Sequence, residues 1–86
     1  MIILWRTSDR PRRVGFAVGR QIRGAVRRNR VRRRLREAYR AARDVAPRSV
    51  DLVVIGRNSA LTLNLSALVD EMRGAFRLMA TPGSSR

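Results

Sequence analysis

Residues Val14–Arg40, VGFAVGRQIRGAVRRNRVRRRLREAYR, decide the fold. The stretch opens on an alternation. Val14, Phe16 and Val18 fall on one face and Gly15, Ala17 and Gly19 on the other, the period of two that marks a strand over Arg13–Gly19. The period then changes. From about Gly24 to Arg43 there is no proline, and most residues are strong helix formers. Val31, Leu35, Ala38 and Ala42 recur at i, i+4, i+7 and i+11 and form one apolar stripe, with Tyr39 at its edge. The opposite face carries Asn29, Arg33, Arg36 and Arg40, flanked by Arg32 and Arg43. Ile22, Ala25 and Val26 are out of phase with the stripe and are expected to pack separately at the helix entrance.

Working outward, Ile2–Arg6 reads as a short strand, and Thr7–Arg12 as a turn started by Ser8 and Asp9 and stiffened by Pro11. The two strands are expected to pair as a hairpin. After the helix, Ala46-Pro47-Arg48-Ser49 is a stop. Val50–Arg57 is a third strand, apolar on both faces from Leu52 to Ile55, which predicts a central position. Gly56–Ser59 reads as a loop. Leu65, Leu68, Val69, Met72, Phe76 and Met79 mark a final amphipathic helix, with Asn64 or Ser66 as its cap and Asp70 and Glu71 near its positive end. Thr81–Arg86 is expected to be a disordered tail. The order β-β-α-β-α over residues 1–80 predicts a single domain, an α/β (α+β) two-layer sandwich with a sheet of three to four strands.

Composition narrows the chemistry. The 86 residues include twenty arginines and six acids, for a formal charge of +14, with no lysine, histidine or cysteine. Thiolate catalysis, histidine acid–base chemistry, Cys/His zinc sites and disulfides are excluded. The missing lysine is best read as the codon bias of a GC-rich genome. The longest mainly apolar run, Val50–Ile55, contains Asp51 and is far below the ~20 residues of a membrane span. Met1–Trp5 lacks the features of a signal peptide, so the cytoplasm is the expected compartment.

The charge is concentrated. Eleven arginines and one acid, Glu37, lie between Arg20 and Arg43. Like charges at i, i+4, such as Arg28–Arg32 and Arg32–Arg36, repel one another on a helix. A solvated face mixes signs, and this one does not. Guanidinium forks bind phosphates bidentately and stack on bases, which points to nucleic acid rather than a membrane or a small-molecule substrate. A strand, not a helix-turn-helix partner, precedes the basic helix, and a sheet suits splayed single-stranded bases, so RNA is favoured over DNA. The acids are scattered. No catalytic residue and no protein-bound metal site is expected.

Val14–Arg20, followed by Ala25-Val26-Arg27-Arg28-Asn29-Arg30-Val31-Arg32-Arg33-Arg34-Leu35-Arg36-Glu37-Ala38-Tyr39-Arg40, resembles the protein subunit of bacterial ribonuclease P. Arg28-Asn29-Arg30 matches that family's RNR motif, and Val50–Arg57 resembles its following strand. The resemblance implies a left-handed β-α-β crossover, against the usual right-handed rule. It implies a catalytic RNA partner that uses Mg2+, held mainly by the RNA, to remove the 5′ leader of precursor tRNA. It also implies a leader cleft between the sheet and the RNR helix. Arg28 and Arg30 become the main RNA contacts. Asn29 orients the backbone or bonds RNA. Arg20, Arg27, Arg32, Arg33 and Arg36 add phosphate contacts, and Phe16 lines the sheet near the leader. The chain departs from the family pattern at Gly19, Arg23-Gly24 and Arg34, and it starts at the strand that a basic N-terminal helix precedes in other members. The alternative from the residues alone is a general RNA-binding or ribosome-associated module without a part in cleavage.

Overall fold

A computed structural model describes residues 1–80; the expected tail, residues 81–86, lies outside the described residues. Three strands, β1 (Ile2–Thr7), β2 (Arg13–Val18) and β3 (Val50–Gly56), form a sheet in the order β1-β3-β2. Helix α1 (Ala25–Ala42) joins β2 to β3 and ends in a short 3-10 turn, Arg43–Val45. A one-turn helix α2 (Ser59–Thr62) and helix α3 (Leu65–Ala80) complete the chain. The two-layer α+β architecture, the sheet and the terminal helix match the sequence reading. No helix among the described residues is long and apolar enough to cross a membrane.

The expected hairpin does not form. β1 pairs antiparallel with β3, β2 pairs parallel with β3, and β3 sits between them. The physical reason is β3 itself. Its backbone needs partners on both sides, and its residues are the most apolar of the three strands. Segment 8–12 therefore has to cross two inter-strand spacings, about 9.6 Å, rather than make a tight turn.

Register divides the sheet into two faces. Ile3–Val54–Phe16 and Trp5–Leu52–Val14 form rows on the helix side. There Leu52 and Val54 pack with Val31, Leu35, Leu68, Met72 and Phe76 into one core. On the other side lie the rows Ile2–Ile55–Ala17, Leu4–Val53–Gly15 and Arg6–Asp51–Arg13. That side is open: Leu4 is 56% and Val53 41% exposed. Apolar residues on both faces of β3 thus gave its central position correctly, although only one face is covered.

Three details differ from expectation. Ile22 is buried, but Ala25 and Val26 face solvent, Val26 at 82%. The segment after Asn58 makes one helical turn, held by Ala60, Leu61, Thr62 and Leu63 amides on carbonyls of residues 57–59. Asn64 caps α3 by accepting the Ala67 amide on Oδ1 at 2.8 Å. Asp70 and Glu71 fall beyond the first turn of α3, which holds no acid, and are not placed to offset its dipole.

Close approach positions α1. A Cβ built on Gly56 would sit 2.3 Å from Val31 Cγ1 and 3.0 Å from Leu35 Cδ1. The end of β3 can therefore lie directly under the helix only because residue 56 has no side chain.

Candidate nucleic-acid interface

The basic helix begins on a glycine. Gly24, the N-cap, has φ 93°, in the left-handed region that side chains disfavour. No acid stands in the first turn of α1, where Arg27 and Arg28 instead face the positive end of the helix dipole.

The structure sorts the arginines by where they stand around the helix. At 100° per residue, Arg28 and Arg34 flank the apolar stripe of Val31, Leu35, Ala38 and Ala42, one on each side. Both turn inward. Arg28 Nη1 donates to the carbonyls of Ile22 at 2.9 Å and Gly19 at 3.3 Å, and Nη2 to that of Val18 at 3.5 Å. It clasps the β2–α1 connection against the first turn of the helix. Arg34 Nε donates to the Ala60 carbonyl at 2.6 Å and Nη2 to that of Leu63, tying α1 to α2. That contact accounts for an arginine where the resemblance leads one to expect an apolar residue.

None of the remaining arginines of α1 donates to a core carbonyl among the described residues; Arg27, which the same wheel sets about 40° from Val31, is exposed in the first turn. Arg27, Arg30, Arg33 and Arg36 are exposed and have no hydrogen bond or ion pair within the described residues. Arg40 and Arg43 continue the same face, and Arg20 is exposed in the turn after β2. Asn29 Oδ1 accepts from Arg32 Nη1 at 3.3 Å, which sets Arg32 along the helix surface. Of the residues singled out from sequence, Arg20, Arg27, Asn29, Arg30, Arg32, Arg33 and Arg36 share the surface around α1. Arg28 does not: its guanidinium is spent on backbone.

Phe16 stands apart from the charges. It is partly exposed, on the sheet face that turns toward α1, with its ring edge-on to Tyr39 at 5.8 Å between centroids. Tyr39 in turn meets Phe76 of α3 edge-on at 6.2 Å. Arg12 closes this corner, donating from Nε to the Tyr39 hydroxyl at 2.7 Å and from Nη1 to the Pro47 carbonyl at 2.8 Å. The role of Arg12 was not legible in the sequence, because it depends on a loop from a distant segment.

The acids mostly serve the scaffold. The Arg73 hydrogen bonds, at 2.8 and 3.2 Å, hold the Asp44 carboxyl below its ordinary value. Partial burial works against ionisation of Asp51, but hydrogen bonds from Arg13 and Arg6 outweigh it and also leave its pKa lowered. Among the described residues, no three acidic side chains come together as a metal cluster would require.

A continuous arginine surface on a helix following a strand is thus in place, and the chain matches the ribonuclease P protein family over residues 1–80. It belongs to that family. It is 42% identical over 82 residues to the ribonuclease P protein component of Gluconacetobacter diazotrophicus, spanning 94% of this chain and 71% of the relative. Against the component from Brucella suis the identity is 49% over 69 residues, 78% of this chain and 48% of the relative. The chain therefore spans about half the length of some relatives. The solved ribonuclease P protein of Thermotoga maritima superimposes with a TM-score of 0.75 at 26% identity, covering 87% of this chain and 73% of that one. Within the ribonuclease P frame, Arg28-Asn29-Arg30 spans the end of the first turn of α1 and the start of the second, with one arginine inward and one outward.

Proposed function

We propose that this chain binds the catalytic RNA of ribonuclease P and the 5′ leader of precursor tRNA, and so assists magnesium-dependent removal of the leader. The observation that carries the reading is the exposed face of α1, with Arg27, Arg30, Arg33 and Arg36 unpaired among the described residues. An unpaired row of guanidinium groups gains most from a polyanion, because each neutralised phosphate releases condensed counterions. In this reading Arg30 is the first contact of the RNR motif, with Arg20, Arg27, Arg32, Arg33 and Arg36 around it. Arg28 holds the strand–helix connection that presents them. Phe16, partly open between sheet and helix, borders the leader path.

The protein's contribution is charge and shape. It neutralises two crowded polyanions, the catalytic RNA and the substrate, while magnesium, held by the RNA, would supply the hydrolytic chemistry. Lower repulsion between the RNAs reduces the magnesium needed to bring them together.

Reconstitution tests this. The chain is added to ribonuclease P RNA and precursor tRNA at limiting magnesium. Faster leader removal, with tighter binding of precursor than of mature tRNA, is the expected result. Equal binding of both tRNAs without faster cleavage would point instead to a general RNA-binding module. Cleavage by the protein without its RNA would overturn the division of labour.

A further inference from the structure

The open sheet face has a charged end that α1 does not serve. Arg6, Asp51 and Arg13 lie side by side in register across β1, β3 and β2. Asp51 sits between the two arginines and accepts from Arg6 Nε at 3.3 Å on Oδ2 and from Arg13 Nε at 3.4 Å on Oδ1. Each arginine is bound by its inner nitrogen, so both forks are oriented while their terminal Nη groups have no partner among the described residues. The two side chains are 78% and 66% exposed.

This row separates two adjoining hollows. One, of about 420 Å3, is bordered by the β1–β2 connection and lined by Thr7, Ser8, Asp9 and Arg10 along with the row itself. The other, of about 410 Å3, continues over Gly15 and Val53. Rows on one sheet face are spaced by about 6.6 Å along the strands. A polar, arginine-rich hollow therefore opens onto a flat apolar floor one row away, and Gly15 adds no side chain to obstruct it. Counting Asp9 and Asp51 against Arg6, Arg10 and Arg13, the first hollow carries an excess of one positive charge.

We infer that this end of the sheet is a second RNA contact, in which Arg6, Arg10 and Arg13 hold one phosphodiester of single-stranded RNA and the attached nucleoside lies over Gly15 and Val53. One phosphodiester matches the single excess charge, and the apolar floor distinguishes a nucleotide from a free anion. The site lies on the sheet face opposite α1, at the start of β2, whereas the RNR motif follows the end of β2. The inference rests on the RNA-binding reading of the chain but not on the α1 surface.

Arginine Nε–H signals in two-dimensional NMR of the full chain provide the test. The probes are inorganic phosphate and a single-stranded oligouridylate of about eight residues. The oligonucleotide should shift the Nε signals of Arg6, Arg10 and Arg13 and the amides of Ser8 and Gly15, at concentrations at least tenfold lower than phosphate requires. Arg10→Gln should weaken those shifts about three- to fivefold, leave the sheet spectrum intact, and flatten the log–log salt dependence by about 0.7. Arg10 suits this purpose because its side chain has no partner among the described residues. Shifts confined to α1 would overturn the inference while leaving the proposed function standing. Shifts at Arg6–Arg13 that phosphate produces as readily as RNA would overturn it too, assigning the hollow to a free anion. Absence of any RNA-induced shift, on α1 or the sheet, would instead count against the RNA-binding reading beneath it.

Discussion

Arg28 and Arg30 are two residues apart, in the same turn of the same helix, and the fold uses them oppositely. Arg28 flanks the apolar stripe and spends its guanidinium on the carbonyls of Val18, Gly19 and Ile22. Arg30 is exposed and unpaired among the described residues. The same division holds more widely: Arg12, Arg34 and Arg73 all donate to backbone carbonyls, and Arg27, Arg33 and Arg36 to nothing among the described residues. An arginine at the margin of a core is a long, five-donor crosslink for carbonyls that secondary structure leaves open. The same side chain one step around the helix is exposed and, in the proposed reading, free to meet a phosphate. Net charge alone hides that difference.

The comparison can be broken most strongly from the outside. Replacing Arg30, Arg33 and Arg36 together by Gln should lower affinity for the catalytic RNA about a hundredfold at moderate salt, since each removes a phosphate contact. Thermal unfolding should hold steady or improve slightly as self-repulsion falls. The inward class is probed by Arg34→Gln, which strands the carbonyls of Ala60 and Leu63. It should cost about 1–2 kcal/mol of stability in denaturant titrations, with RNA affinity nearly unchanged once the protein is folded. Gly24→Ala tests the entrance shared by both classes. Because residue 24 adopts φ 93° and ψ 134°, an extended positive-φ conformation that is essentially glycine's alone, the variant should lose about 1 kcal/mol. The smallest effect is electrostatic and acid-dependent. Asp44 and Asp51 have carboxyl groups held below the ordinary value of 3.8 by arginine partners. Folded values below the unfolded one mean that their stabilisation is present above pH ~4 and fades as pH falls through the folded values. Melting temperature measured from pH 6 down to pH 2 should drop at the acid end, and Asp44→Asn should make the drop shallower.

Much of this was legible in the chain. Periodicity located β2, α1, β3 and α3, because each buries one face and the pattern of that face is local. The outward face of α1 followed from the same wheel. The pairing of β1 was not legible: a turn-like segment of Ser, Asp and Pro suits a hairpin and a strand-skipping connection equally, and only competition for the edges of β3 decides. Helix α2 was missed because a single turn is too short to show a period. The inward turn of Arg28 was also missed. Its place beside the apolar stripe was visible on the wheel, but its carbonyl partners come from a connection whose path depends on Gly24 and on the docking of β2 against β3. Val26 shows that an apolar residue at a helix entrance need not pack.

The central claim is that neighbouring arginines of the RNR motif divide into one that shapes the protein and one that meets RNA. The direct measurement is paired: melting temperature and the salt dependence of catalytic RNA binding, for Arg28→Gln and Arg30→Gln side by side. Arg30→Gln is expected to lower the log–log salt slope by about 0.7–0.9 at unchanged melting temperature, and Arg28→Gln to lower the melting temperature and leave the slope of the folded protein intact. A reduced slope with no loss of stability in Arg28→Gln would contradict the claim.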